Sequence, residues 1–248
     1  VLVLVTGATA GFGAEIARVF VRRGDRVIAT GRRKERLDAL AAELGEGLRG
    51  AVLDVRDRKA IDAFMNSLPP AWADIDVLVN NAGLALGLGP AQTSSLDDWE
   101  QVIDTNVRGA TFMIHAVLPG MVARGRGHII NLGSIASHVP YPGGHVYGAS
   151  KAFIDQLSLN LRADLIGTPV RVTNIEPGLC GGTEFSNVRF RGDDAKAAKV
   201  YEGTDPLLPA DIAETVRWVA TLPPHVNING IQMMPVCQAF GPTVVHRR

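Results

Sequence analysis

Tyr147 and Lys151 stand one helical turn apart in the stretch Tyr147-Gly148-Ala149-Ser150-Lys151. If a helix runs there, a phenol and an ammonium share one face. The residues that follow, from Ala152 to Leu161, place apolar side chains at spacings of three and four, which predicts that helix. A free tyrosine titrates near pH ~10 and carries protons poorly at neutrality. A lysine one turn away favours the phenolate and draws its pKa toward the working range. The pair can therefore exchange a proton with a substrate oxygen. The same spacing recurs on plain amphipathic helices, so the remainder of the chain decides what it means.

A second cluster of chemistry lies near the start. Val1-Leu2-Val3-Leu4-Val5 is a continuous apolar run, as expected of a parallel strand buried on both faces. It leads into Thr6-Gly7-Ala8-Thr9-Ala10-Gly11-Phe12-Gly13, and a helical pattern begins at Ala14. Strand, glycine turn and helix together form a phosphate cradle. The glycines admit the backbone close to a pyrophosphate, and the helix start offers free N–H groups. The spacing is Thr-Gly-x-x-x-Gly-x-Gly rather than the commoner G-x-G-x-x-G.

The next predicted strand, Arg26 to Thr30, ends where dinucleotide folds select their cofactor. A carboxylate there would accept from the adenosine ribose and repel a 2′-phosphate. This chain has Gly31-Arg32-Arg33-Lys34 instead. Arg32 and Arg33 can grip a phosphate with paired hydrogen bonds, so NADP is expected rather than NAD. A third strand is predicted over Ala51–Val55. There Asp54 can accept from the adenine amino group and Val55 can line the ring, or Asp54 can simply cap a helix. A fourth, Ile75–Val79, runs into Asn80-Asn81-Ala82-Gly83, with Asn81 expected to face the cofactor. Alternating strands and helices imply βαβ units, and no linker or internal repeat marks a second domain.

In the second half, Leu96 to Gly120 reads as one or two helices with Asn106 near a break. A fifth strand from Gly127 ends in the hydroxyl of Ser134. Ligands in open α/β sheets bind beyond the carboxyl ends of the strands, so Ser134 should meet the helix that begins around Val146.

The 248 residues, 46% hydrophobic and 20% charged, can form one large α/β domain. A net charge of zero argues against a nucleic-acid surface. No apolar run approaches the ~20 residues that span a bilayer. The opening Val1–Val5 is too short, and lacks the basic leader, for a signal peptide. Two cysteines, Cys180 and Cys237, without metal-type spacing, suggest reduced thiols and a cytoplasmic setting. Neither a membrane partner nor a metal site is expected.

Taken in order, the glycine turn, Asn80-Asn81-Ala82-Gly83, Asn106, Ser134, Tyr147-x-x-x-Lys151 and Pro177-Gly178 resemble the short-chain dehydrogenase/reductase family over essentially the whole chain. The segments Ile175 to Leu179, Gly181 to Phe190, Leu222-Pro223 with His225 to Asn229, and Met233 to Val236 are similar to its bacterial 3-hydroxy acid dehydrogenase group, which includes NADP-dependent serine and allo-threonine dehydrogenases and malonic semialdehyde reductases. The resemblance implies a single doubly wound Rossmann domain over 1–248 with a parallel sheet of about seven strands. It implies that Tyr147 is the general acid/base, that Lys151 lowers its pKa and holds the nicotinamide ribose, that Ser134 orients the substrate oxygen, and that Asn106 supports a proton relay. Pro177, Gly178, Leu179 and Thr183 would cover the cofactor, although Thr183 follows Pro177 by six residues where many members have five.

A substrate lid is expected over 185–208. A hydroxy acid needs a cation for its carboxylate, because an unpaired buried anion is costly. Arg189 is the proposed partner, with Arg191 and His145 as competitors. Cys180 has no visible cation beside it and reads as passive. The resemblance further implies a homotetramer. The expected activity is NADP-dependent oxidation of a small 3-hydroxy acid such as serine, allo-threonine or 3-hydroxypropionate, or reduction of malonic semialdehyde. Reduction of another small aldehyde or ketone, sulfonated ones included, and a non-catalytic NADP sensor are the alternatives.

Overall fold

The computed structural model describes residues 1–241. The first half runs β1 (Leu2–Val5), α1 (Gly11–Arg22), β2 (Arg26–Gly31), α2 (Lys34–Leu44), β3 (Leu48–Val52), α3 (Arg58–Asn66) and β4 (Val77–Asn80). The second half runs α4 (Leu96–Ile103), α5 (Ala110–Arg124), β5 (Gly127–Leu132), α6 (His145–Asp164) and β6 (Val170–Pro177), then α7 (Phe185–Arg189), α8 (Asp194–Lys199), α9 (Pro209–Thr221) and β7 (Gly230–Met233). The strands form one seven-stranded sheet in the order β3-β2-β1-β4-β5-β6-β7, every pair parallel. The order turns back between β1 and β4, which opens a crevice at the carboxyl ends.

The apolar run of β1 shows why both faces must be covered. Val3 and Val5 pack with Ile16, Phe20, Ile212 and Val216 on one side. Leu2 and Leu4 pack with Ile61, Met113 and Val117 on the other. Successive side chains alternate across a strand, so a run without polar breaks demands helices on both faces. The doubly wound architecture follows.

Two strands differ most from the sequence expectation, while β4 starts two residues later and β5 ends at Leu132, before Ser134. The third begins and ends three residues earlier, at Leu48–Val52, so Asp54 and Val55 lie beyond it. It is an edge strand whose Arg49 and Gly50 are exposed, and its polar half hides it in an apolar reading. β6 carries Thr173, Asn174 and Glu176, all buried, within a central strand, and this polar content masks it in the sequence. The expected break near Asn106 is a π-helical segment, Asp104–Gly109, between α4 and α5. Such widened turns turn inward a residue that a regular helix would aim elsewhere.

Among the described residues no helix is long and apolar enough to cross a membrane. The apolar tail toward Val245 and the closing His246-Arg247-Arg248 lie outside the described residues.

Candidate active site

A cleft of about 820 Å³ follows the carboxyl ends of the strands, from the glycine turn to the α7 region. It begins where β1 meets α1. Gly7 has φ +67°, and a Cβ there would stand 2.9 Å from the Ala82 Cα. At Gly13 a Cβ would meet the Gly7 carbonyl at 2.5 Å. Only glycine fits either place. Ala10 precedes α1 and offers no side-chain cap, so the first N–H groups of the helix remain free for an anion. The Thr6 hydroxyl accepts from the Asn81 and Ala82 amides, and the Asn81 side chain donates to the Thr6 and Gly7 carbonyls. Asn81 lines the cleft and also fastens the turn to the end of β4. These features fit a dinucleotide pyrophosphate.

Gly7, Thr9, Ala10, Gly11 and Phe12 all line the cleft. Ala8 does not. It is fully buried, and its amide donates to the Thr30 carbonyl at 2.8 Å, so it supports the turn from behind. Arg32 and Arg33 both face the cleft but differ in state. Arg33 donates to the Thr9 hydroxyl at 3.0 Å and to the Glu184 carboxylate at 2.7 Å. Arg32 is exposed and makes no ion pair among the described residues. Asp54 and Val55 line the cleft on the same side as Arg32. The Arg56 guanidinium grips Asp54 and holds its carboxyl below the usual range. The cap of α3 is Asp57, so the helix-cap reading of Asp54 fails.

On the other side, α6 carries Tyr147 and Lys151. The Lys151 ammonium is buried, donates to the Leu132 carbonyl at 2.6 Å, and lies 5.8 Å from the centre of the Tyr147 ring. With protein groups alone, burial pushes the Tyr147 phenol up to about 12, and the Ser134 hydroxyl draws it back. Burial brings Lys151 down to about 8. Desolvation therefore outweighs the pull of the lysine expected from spacing.

The amide of Asn106 lies behind the wall. It accepts from the Leu84 N–H at 2.9 Å and donates to the Leu84 carbonyl and the Ser150 hydroxyl. Its polar side-chain atoms are thereby spent on shape.

Pro177 at the end of β6, and Gly178, Leu179 and Thr183 after it, line the cleft, and Thr183 sits 3.1 Å from where a Gly11 Cβ would be. Burial pushes the Cys180 thiol up to about 12, so it is held protonated near neutral pH. Past it, Phe185 packs on Tyr147 with ring centres 5.6 Å apart. The Arg189 guanidinium lies 5.3 Å from the Tyr147 ring centre and donates to the Tyr141 hydroxyl at 3.0 Å. Its buried Nε has no partner. A phenol, a hydroxyl and an under-used cation converge on one space.

Residues 1–193 match the family model described as short chain dehydrogenase. This chain belongs to the short-chain dehydrogenase family. It is accordingly an oxidoreductase of alcohol groups. It is 67% identical over 246 residues, covering 99% of each chain, to the NADP-dependent 3-hydroxy acid dehydrogenase YdfG of Salmonella typhi. It is 49% identical over 245 residues, 99% of this chain and 98% of the relative, to the serine 3-dehydrogenase of Agrobacterium fabrum. The closed form of a serine dehydrogenase complexed with NADP+ shares its structure with a TM-score of 0.99 at 62% identity, covering 100% of both chains.

The competitors for the carboxylate role in this short-chain dehydrogenase lie elsewhere. Arg191 is exposed and paired with Asp98 at 2.6 Å. His145 contacts Ser94 and the Gly89 carbonyl and packs on Trp99, outside the cleft. Sequence reasoning missed Tyr141 and Glu184. Tyr141 had a signal, an aromatic within a Pro- and Gly-rich loop between Ser134 and Tyr147. Glu176 was also missed. It is buried and accepts from Ser137 and Asn174 with His138 at 3.0 Å, tying the Ser134 loop to the end of β6.

Proposed function

We propose that this short-chain dehydrogenase catalyses the reversible NADP-dependent oxidation of a small 3-hydroxy acid, with serine, allo-threonine and 3-hydroxypropionate as candidates and malonic semialdehyde reduction as a reverse reaction. The observation that carries the substrate class is the half-buried Arg189 guanidinium beside the Tyr147 ring, whose buried Nε has no partner. In this reading the carboxylate pairs with Arg189 and the 3-hydroxyl turns toward the Tyr147 phenol, whose ring centre lies 5.3 Å from the guanidinium. The names of the relatives support the same class.

In this reading Ser134 orients the substrate oxygen and Tyr147 takes the hydroxyl proton on oxidation or returns it on reduction. A bound NADP+ would supply the acceptor for the hydride of the carbon that bears this hydroxyl, and its positive nicotinamide would favour the phenolate. Lys151 supplies a second cation and holds the nicotinamide ribose. Arg32 meets the 2′-phosphate, with Arg33 beside it. Asn106 fixes the wall at Leu84 and the end of α6 at Ser150. Residues 185–208, with α7 and α8, form the lid.

Initial rates with NADP+ and NAD+ over serine, allo-threonine, 3-hydroxyisobutyrate and 3-hydroxypropionate test the proposal. Faster turnover with NAD+ overturns the cofactor assignment. Turnover confined to neutral or sulfonated substrates overturns the carboxylate assignment. The protein is inferred to act in the cytoplasm as a homotetramer, with the exposed Phe153 and Leu159 of α6 available for self-association. Sedimentation of a monomer at micromolar concentration would refute that state.

A further inference from the structure

The two ends of the cleft are joined by one short stretch of chain. Glu184 immediately precedes α7. Its carboxylate meets the Arg33 guanidinium at 2.7 Å and the Arg36 guanidinium at 3.5 Å, both rooted around the start of α2. Arg33 in turn donates through Nε and Nη2 to the Thr9 hydroxyl, within the glycine turn. The preceding residue, Thr183, packs on Gly11. At the far side of Glu184 stand Phe185 on the Tyr147 ring and Arg189, one helical turn on, above the same ring. A guanidinium has five N–H donors in a rigid plane. Thr9 takes Nε and Nη2 and Glu184 takes Nη1, so an N–H on each Nη remains to meet an anion.

We propose that Glu184 is a positioning residue that couples the adenosine 2′-phosphate subsite to the substrate lid through the Thr9–Arg33–Glu184 strap. The inference rests on the NADP and hydroxy-acid reading above. A phosphate that engages the free N–H groups at the end of Arg33 fixes the plane of its guanidinium, and the same Nη1 holds Glu184. The short α7 then carries Phe185 and Arg189 as one unit into place over Tyr147. NAD+, lacking the phosphate, leaves the strap unfastened at one end. Cofactor discrimination thereby reaches the substrate side without any contact between the two ligands, as a difference in lid population between the two cofactor complexes. Exposure of the Arg33–Glu184 pair keeps its own contribution small, which suits a latch that must open at each turnover.

The test is hydrogen exchange of the 183–200 segment in the full-length protein with NADP+, with NAD+ and without cofactor, for the wild type and E184Q. NADP+ is expected to protect the segment more than NAD+ does in the wild type. In E184Q the NADP+ protection should fall to the NAD+ level, and the KM for the hydroxy acid with NADP+ should rise about tenfold, more than kcat changes. E184D, which keeps the charge, should recover part of the protection. Equal protection by NADP+ in the wild type and E184Q would overturn the coupling even if NADP+ binds and reacts normally. Failure of the wild type to bind NADP+ at all would overturn the functional reading, and the coupling with it.

Discussion

The Arg189 guanidinium lies 5.3 Å from the centre of the Tyr147 ring and is wedged against Phe185 as well, with its Nε unpartnered. A cation so placed does two things. It gives an anionic substrate a fixed partner, and it favours the phenolate of the residue that moves the proton. Arg189→Ala should therefore cost the hydroxy-acid reaction roughly 10- to 200-fold in kcat/KM, the worth of a charge-assisted hydrogen bond or two, while a neutral alcohol of similar size loses much less. Equal losses on both substrates would remove Arg189 from the carboxylate role.

Tyr147→Phe removes the proton carrier with little change in volume. Turnover should fall by about 10²- to 10⁴-fold, the usual worth of general acid/base catalysis, with NADP+ affinity largely kept. Titrating NADP+ binding by fluorescence beside steady-state rates separates the two effects. Near-normal turnover would place the acid/base elsewhere.

The pH dependence follows from the same site. The phenol stands at about 12 with protein groups alone, and the ammonium of Lys151 at about 8. Oxidation needs the phenolate, so its rate should rise with pH, and reduction needs the phenol, so its rate should fall. Bound cofactor adds a positive charge and should bring the phenol's apparent pKa down toward neutrality. Lys151→Met removes one cation, so the alkaline limb of the oxidation profile should move to higher pH. A limb that stays in place would show that Lys151 does not tune Tyr147.

Arg32 is exposed and unpaired among the described residues, whereas Arg33 is already engaged by Thr9 and Glu184. Arg32→Ala should weaken NADP+ binding by roughly tenfold or more and leave NAD+ nearly untouched, because only the phosphate contact is lost. Dissociation constants for both cofactors decide it. Parallel losses would mean that Arg32 only shapes the adenosine pocket.

Much of this site was legible before folding because its signals are local. Gly7 and Gly13 sit in one turn, and Tyr147 and Lys151 on one helical face, so spacing alone brings each set together. The edge strand β3 and the polar β6 were harder, since burial there is set by neighbours far along the chain. Arg189 and Arg191 are two residues apart and chemically alike. Only the folded path shows one above Tyr147 and the other on Asp98. The Arg33–Glu184 bridge spans 151 positions in sequence, and no local pattern announces it.

His128 connects the fold to acid stability. It sits in the central strand β5, buried, with Nε2 at 2.8 Å from the Thr173 hydroxyl and Nδ1 unpartnered. Burial pushes its pKa down from 6.5 to about 3, and the nearby Arg171 adds to this. The unfolded chain binds a proton at His128 below about 6.5, while the folded one does so only below about 3. Stability should therefore be full above pH 6.5 and decline as pH falls through this window. The slope attributable to one proton is roughly 1.4 kcal/mol per pH unit. Thr173 can hydrogen-bond a neutral amide in place of the ring, so His128→Gln should be less stable at pH 8 but lose less on acidification. Urea midpoints from pH 8 to pH 4.5 measure both slopes, and parallel declines would assign the acid limb to other groups.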